Sequence, residues 1–280
     1  AKWEVTRRAL EEALDILKAG GIPVSAGISM FPVSGTFCGV PSTPDVPIAA
    51  LDSSQEERIA AFLEEVSPQG DTPLAGATIL AYQHLYEQAL AGTLVGNGFV
   101  VLLTDGFETC AGSYTDTLLE DDAPEALNLL GVRTFVIGVP GSEGARHYLS
   151  SLAEAGGTAL DPECSHDGTG AGYCHFDMTQ SADFAVDLAA ALERISGQVL
   201  ACELDVPTNP TGGGVDVNRV NVDIDDVPYS PTDCSVPGNS GWQYNEDYTR
   251  ITLCGAACEA AQEFDAVVSI VLGCPTRPPE

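Results

Sequence analysis

Leu10, Leu14 and Leu17 recur at i, i+4 and i+7, which predicts an amphipathic helix over residues 2–19 that stops at Gly20-Gly21. The period then shortens. Ile22–Phe31 alternates small and apolar residues as a strand does, and Val46–Leu51 predicts a second, short strand returning beside it. The loop between them is rich in Gly, Ser and Pro and carries Cys38. Ile59, Phe62, Leu63 and Val66 mark the next helix, and residues 74–91 another, entered through Asp71-Thr72-Pro73 with Pro at the first turn. Phe99–Thr104 is an unbroken apolar run of strand length, the pattern of a strand buried on both faces in the middle of a parallel sheet. Helix 123–130, strand Arg133–Val139, helix 143–155, a short strand at Thr158–Leu160 and helix 180–196 follow, and Gly197 ends the last of them. This alternation predicts an α/β fold over residues 1–197: a doubly wound, mostly parallel sheet flanked by helices.

After Gly197 the pattern changes. Val199–Val206, Val220–Ile224, Gln243–Leu253 and Ala266–Gly273 have strand character and are joined by Pro, Gly, Asn and Asp turns. One helical piece lies near Ala256–Gln262. Residues 198–280 are therefore expected to form a small β-rich extension, a second domain.

Charge narrows the function classes. Forty-one acidic residues against eleven basic ones give a net charge of −30, and Lys2 and Lys18 are the only lysines. Such a surface disfavours nucleic-acid binding, which needs cations to displace phosphate counterions. It suits a solvated protein in high or variable salt, and some of its carboxylates are candidates for Ca²⁺. No apolar run approaches the roughly 20 residues of a membrane span. Five of the nine cysteines lie in the extension, where a small core needs covalent help, and no Cys-x-x-Cys occurs. Disulphides in an oxidising compartment are expected, placing the protein outside the cell or on its surface. Cys38 is expected to pair with Cys110, because their loops leave the same end of the sheet, Cys164 with Cys174 around a Gly-rich loop, and Cys234 with Cys254 within the extension. Cys202, Cys258 and Cys274 then supply one more bridge and leave one cysteine over.

In doubly wound sheets ligands bind outside the carboxyl ends of the strands. Leu102-Leu103-Thr104-Asp105-Gly106 puts a carboxylate where the apolar strand runs out, and Gly70-Asp71-Thr72-Pro73-Leu74 puts a hydroxyl at a helix start. Carboxylate and hydroxyl oxygens at one sheet end suit a hard divalent cation that also accepts an acidic ligand. With Thr72 thirty-three residues before Asp105, and with Phe176-Asp177-Met178 leading into the last helix, residues 1–197 resemble the von Willebrand factor type A domain of large secreted bacterial proteins. The tail, with Gly241-Trp242, Gly255-Ala256-Ala257-Cys258 and Gly273-Cys274-Pro275-Thr276, is similar to an extension in some of those proteins. The resemblance implies a metal-ion-dependent adhesion site in which Thr72 and Asp105 contribute to Mg²⁺ or Ca²⁺ binding, directly or through water. In that family an Asp-x-Ser-x-Ser loop after the central strand supplies the first ligands, just before the first helix. These residues begin at that helix, and Asp52-Ser53-Ser54-Gln55-Glu56 has Glu in place of the last Ser. A strand from outside residues 1–280, from an upstream segment or a neighbouring subunit, is therefore expected to complete the sheet. Ala266–Gly273 folding back into the gap is the alternative.

Other groupings point less far. Cys164, His166, Cys174 and His175 match no standard zinc spacing, and Gly168-x-Gly170-x-Gly172 lacks the strand-to-helix setting of a dinucleotide loop. Asp216 and Asp223-Ile224-Asp225-Asp226 lack the ligand periodicity of an EF-hand loop. His84 and His147 have no partner motif, and no Gly-x-Ser-x-Gly, P-loop or His-Glu-x-x-His occurs. The expectation is a binding protein and not an enzyme: a module for a protein or cell-surface ligand. The alternative is a structural subunit of an extracellular assembly that self-associates without metal.

Overall fold

The computed structural model describes residues 2–19, 24–93, 98–130, 132–200, 202–206, 216–236, 238–245, 248–262, 266–273 and 276. Its contacts divide the chain into two compact units, Ala1–Leu90 with Gly98–Ser196, and Ala91–Asn97 with Gly197–Glu280.

The first unit is mixed α/β. Helix α1 (Lys2–Ala19) leads to β1 (Ser25–Ile28), which pairs antiparallel with β2 (Val46–Ala50). The register slips between Ala26 and Ile28. Gly27 permits the slip, because a Cβ there would lie 2.8 Å from the Val46 carbonyl oxygen. Helix α2 (Ser53–Glu65) starts where the Asp52 side chain accepts a hydrogen bond from the Gln55 N–H at 2.8 Å. The Asp52-Ser53-Ser54 run is thus a helix cap. The buried Gln55 amide reaches across the hairpin, its nitrogen donating to the Ala26 and Pro47 carbonyls at 2.7 and 2.8 Å. Trp3, Leu10 and Leu14 of α1 pack with Ile59 and Leu63 of α2 against Val46 and Ile28; the fully buried positions of α1 are Thr6, Ala9 and Ala13, and the predicted leucines flank them half-buried.

Helix α3 (Leu74–Leu90) precedes β3 (Phe99–Thr104); α4 (Thr115–Thr117) and a π turn (Leu118–Asp122) lead into α5 (Ala123–Leu130). Then come β4 (Arg133–Gly138), α6 (Arg146–Ala155), β5 (Phe176–Asp177) and α7 (Phe184–Leu200). Strands β3, β4 and β5 form a three-stranded parallel sheet, with Phe99 opposite Arg133 and Ile137 opposite Phe176. β4 is its centre, buried from Thr134 through Gly138. Three expectations are corrected. Phe99–Thr104 is not central: among the described residues β3 pairs only with β4, and Val101 is 41% exposed. Thr158–Leu160 is no strand, because the Thr158 hydroxyl and the Leu160 N–H bond the Thr134 and Cys174 carbonyls across a loop; Phe176–Asp177 is the third strand instead. Helix α7 also runs through Gly197, its buried Leu188, Leu192 and Ile195 outweighing the roughly 1 kcal/mol a helical glycine costs. The described strands of this unit make two separate sheets and not one continuous doubly wound sheet.

The second unit holds β6 (Glu203–Asp205), β7 (Val220–Ile224), β8 (Val227–Tyr229), β9 (Gly241–Tyr244), β10 (Arg250–Cys254), α8 (Ala256–Ala261) and β11 (Val268–Leu272). Its two antiparallel sheets are ordered β6-β10-β9 and β11-β7-β8 around buried Val222, Ile224, Trp242, Ile251 and Leu253. Among the described residues of Val199–Val206, those at 203–205 form the strand. Gln243–Leu253 is two strands folded into a hairpin. β8 was not anticipated; it returns from β7 through Asp225 and Asp226 at φ 49° and 65°, the conformation of a two-residue hairpin turn. The Asp225 carboxylate accepts the Val267 N–H at 2.9 Å, so this aspartate run shapes a turn. Ala266–Gly273 pairs along β7 and does not enter the first unit's sheet.

Disulphides join Cys38 to Cys110, Cys164 to Cys174, Cys234 to Cys254 and Cys202 to Cys258. Cys274 lies outside the described residues. Among those residues no helix is long and apolar enough to cross a membrane.

Candidate functional site at the carboxyl end of the parallel sheet

Where β3 ends, Asp105 leaves the sheet on an exposed turn braced by the Gly106 N–H donating to the Thr104 hydroxyl at 3.2 Å. The carboxylate is met by a cation of the chain itself: Lys2 Nζ lies 2.6 Å from Asp105 Oδ2 and 2.8 Å from the Pro140 carbonyl oxygen. The start of α1 therefore sits at the carboxyl ends of β3 and β4. Gly141, at φ 119°, lets the loop after β4 come close, since a Cβ there would fall 2.6 Å from the Asp105 carbonyl oxygen.

Thr72 belongs to the same cluster. A Cβ on Gly106 would lie 2.7 Å from Thr72 Oγ1, which puts that hydroxyl against the residue following Asp105. Two bonds fix it there: Thr72 N–H to Thr109 Oγ1 at 2.8 Å, and Thr109 N–H to the Thr72 carbonyl at 3.1 Å. The structure thus brings the two residues expected to bind metal onto adjoining loops.

Two residues that sequence spacing did not single out hold this arrangement. Lys2 is one. Buried Glu108 is the other: its carboxylate accepts the Cys110, Ala111 and Ala75 N–H groups at 2.6, 2.8 and 2.6 Å, clamping the loop after β3 to the start of α3. The Cys38–Cys110 bridge ties in the loop that follows β1. Around the cluster the loops display apolar rings, Phe37 at 77% exposure together with exposed Phe107 and Tyr114. Exposed aromatic groups beside a polar centre are a composition typical of interaction surfaces.

Cys38, Asp71 and Cys110 also converge, but their sulphurs form a disulphide and offer no thiolate to a metal. The Cys164–Cys174 bond likewise removes both thiolates from the zinc grouping, and its two histidines serve other partners. His166 contacts the Glu154 carboxylate at 2.7 Å. His175 is buried, its Nδ1 2.8 Å from the Ser150 hydroxyl, and burial pulls its pKa down to about 4, with the neighbouring Asp177 opposing and Arg146 reinforcing the shift. Gly168, Gly170 and Gly172 all have positive φ inside this disulphide-closed loop. His147 is exposed, faces Asp167 at 3.4 Å and packs edge-on against His166. Asp177 pairs with Arg146 at 3.0 Å.

No protein-family model matches the chain, and no curated protein matches it.

Proposed function

We propose that this protein is an extracellular recognition module, of the type A-like class that residues 1–197 resemble, binding a protein or cell-surface ligand with the loops around Asp105. The observation that carries this reading is that adjoining loops at one sheet end carry an exposed carboxylate, a hydroxyl and exposed aromatic rings. The hard oxygens of Asp105 and Thr72 fit Mg²⁺ or Ca²⁺ in kind. They are too few to fill six or more coordination positions, so the remaining ligands are water, the bound partner or residues outside this chain. When bound, the ion supplies a positive centre for a ligand carboxylate. Lys2 supplies one charge in its place and competes for Asp105. Titration with Ca²⁺ and Mg²⁺ tests the reading: Asp105→Ala abolishes binding, and Lys2→Ala tightens it about two- to fivefold, the range of an exposed ion pair. Equal metal binding by wild type and Asp105→Ala overturns it.

The second reading, a structural subunit, is favoured by the β3 edge. A strand that, among the described residues, pairs on one side only and shows Val101 to solvent is a template for a strand from outside residues 1–280. In both readings that strand, from an upstream segment or a neighbouring subunit, would join the two sheets of the first unit into one doubly wound sheet. Sedimentation with and without EDTA separates the readings, because only the structural one expects assembly that the chelator leaves untouched.

A further inference from the structure

In the second unit a cleft of about 350 Å³ opens beside β9 and the hairpin between β9 and β10, within the size range of small-molecule sites. Trp242, 1% exposed, lies deepest, and Tyr244 and Tyr248 continue outward, each ring centroid 5.2 Å from the next. Asn218, Thr232 and Gln243 add polar groups to the lining. In a chain of net charge −30, none of the described residues lining this cleft carries a charge.

Tyr248 is the informative residue. It stands at φ 56°, one of three non-glycine residues at positive φ among those described, the others being the turn aspartates Asp225 and Asp226. The hairpin imposes that conformation. The Asn245 side chain accepts the Thr249 and Arg250 N–H groups at 2.9 and 3.0 Å, and the Asn245 carbonyl accepts the Tyr248 N–H at 3.2 Å. Glycine would satisfy this backbone without strain, yet the position presents a large ring, 54% exposed, at the mouth of the cleft.

The polar atoms divide in two. The Trp242 indole N–H is committed to the Tyr229 carbonyl at 2.9 Å and the Tyr244 hydroxyl to the Val217 carbonyl at 3.3 Å. Among the described residues the Thr232 hydroxyl, the Gln243 amide nitrogen and the Tyr248 hydroxyl have no hydrogen-bond partner. Aromatic faces plus neutral hydrogen-bonding groups match a ligand with one apolar C–H face and a rim of hydroxyls. Among the described residues no carboxylate lines the cleft to hold a cation, and an anion is opposed by the charge of the whole chain.

We propose that this cleft binds a neutral hexopyranose, free or within a glycan, stacked on Tyr248 and hydrogen-bonded by Thr232 and Gln243. The test uses the full chain. Affinity electrophoresis in gels containing dextran, galactomannan or a soluble β-glucan probes glycans, and saturation-transfer NMR with glucose, mannose and galactose probes free sugars. At least one probe binds, and which arm responds tells whether a chain or a single ring is recognised. Tyr248→Gly keeps or raises the melting temperature while weakening binding roughly tenfold, the loss of one aromatic face, and Tyr248→Phe keeps most of it. Should Tyr248→Gly fail to fold, Thr232→Val carries the test, with binding weakened severalfold. Failure of every glycan and sugar to bind overturns the proposal, as does undiminished binding by Tyr248→Gly. Decaproline binding in place of the sugars also overturns it and makes the cleft a peptide groove.

Discussion

The His175 imidazole is closed off from water, with Gly138 close against it and the Tyr173 ring 5.7 Å away. Because burial lowers its pKa to about 4, the unfolded chain takes up a proton at this ring before the folded chain does. Its contribution is complete above about pH 6.5 and is lost as pH falls towards 4, roughly 3 kcal/mol in all. Urea midpoints at pH 7, 5 and 4 should show that loss in wild type, and a correspondingly flatter profile in His175→Gln. At this scale Thr72 and Asp105 were legible, because a hydroxyl at a helix start and a carboxylate at a strand end are local patterns. Lys2 and Glu108 were not. Lys2 meets Asp105, 103 residues away, and Glu108, besides its local bonds to Cys110 and Ala111, meets Ala75, 33 residues away; no spacing rule anticipates contacts that only the closed fold creates.

Among the elements, β3 shows what an apolar run does and does not reveal. Phe99–Thr104 forms a strand beside β4, as its pattern predicts. The pattern says that both faces favour cover, and leaves open whether a neighbour lies along the second edge. In a strand paired on one side, alternate N–H groups point away from the partner. Hydrogen exchange should therefore be fast at alternate β3 amides of the isolated chain and slow at the others. It should slow throughout when a strand is added. Uniform protection in a monomer would contradict the open edge. Val101→Lys should suppress any self-association through this edge, measured by sedimentation, since a lysine on an edge strand opposes pairing. Misplaced strands in the second unit have a simpler cause. Asn245, which folds β9 back against β10, accepts the Tyr248, Thr249 and Arg250 N–H groups, a role that hydropathy does not report.

For the molecule as a whole, a net charge of −30 means that the folded chain repels itself more than the expanded one does. Raising NaCl from about 0.01 to about 1 M shortens the screening length from about 30 to about 3 Å, so the melting temperature should rise with salt. Eight of the nine cysteines pair with one another, so thiol titration of the denatured, unreduced chain should find one reactive sulphur. The scarcity of lysine has a practical counterpart. Both amines are engaged, Lys2 with Asp105 and Lys18 with Glu56. An acetylating reagent would therefore reach only two side chains, and at one of them it would strip the ammonium from the carboxylate on which recognition is proposed to depend. Coupling to a sensor surface through Lys2 would disturb this pair in the same way, whereas immobilisation through an appended tag would preserve the native competition.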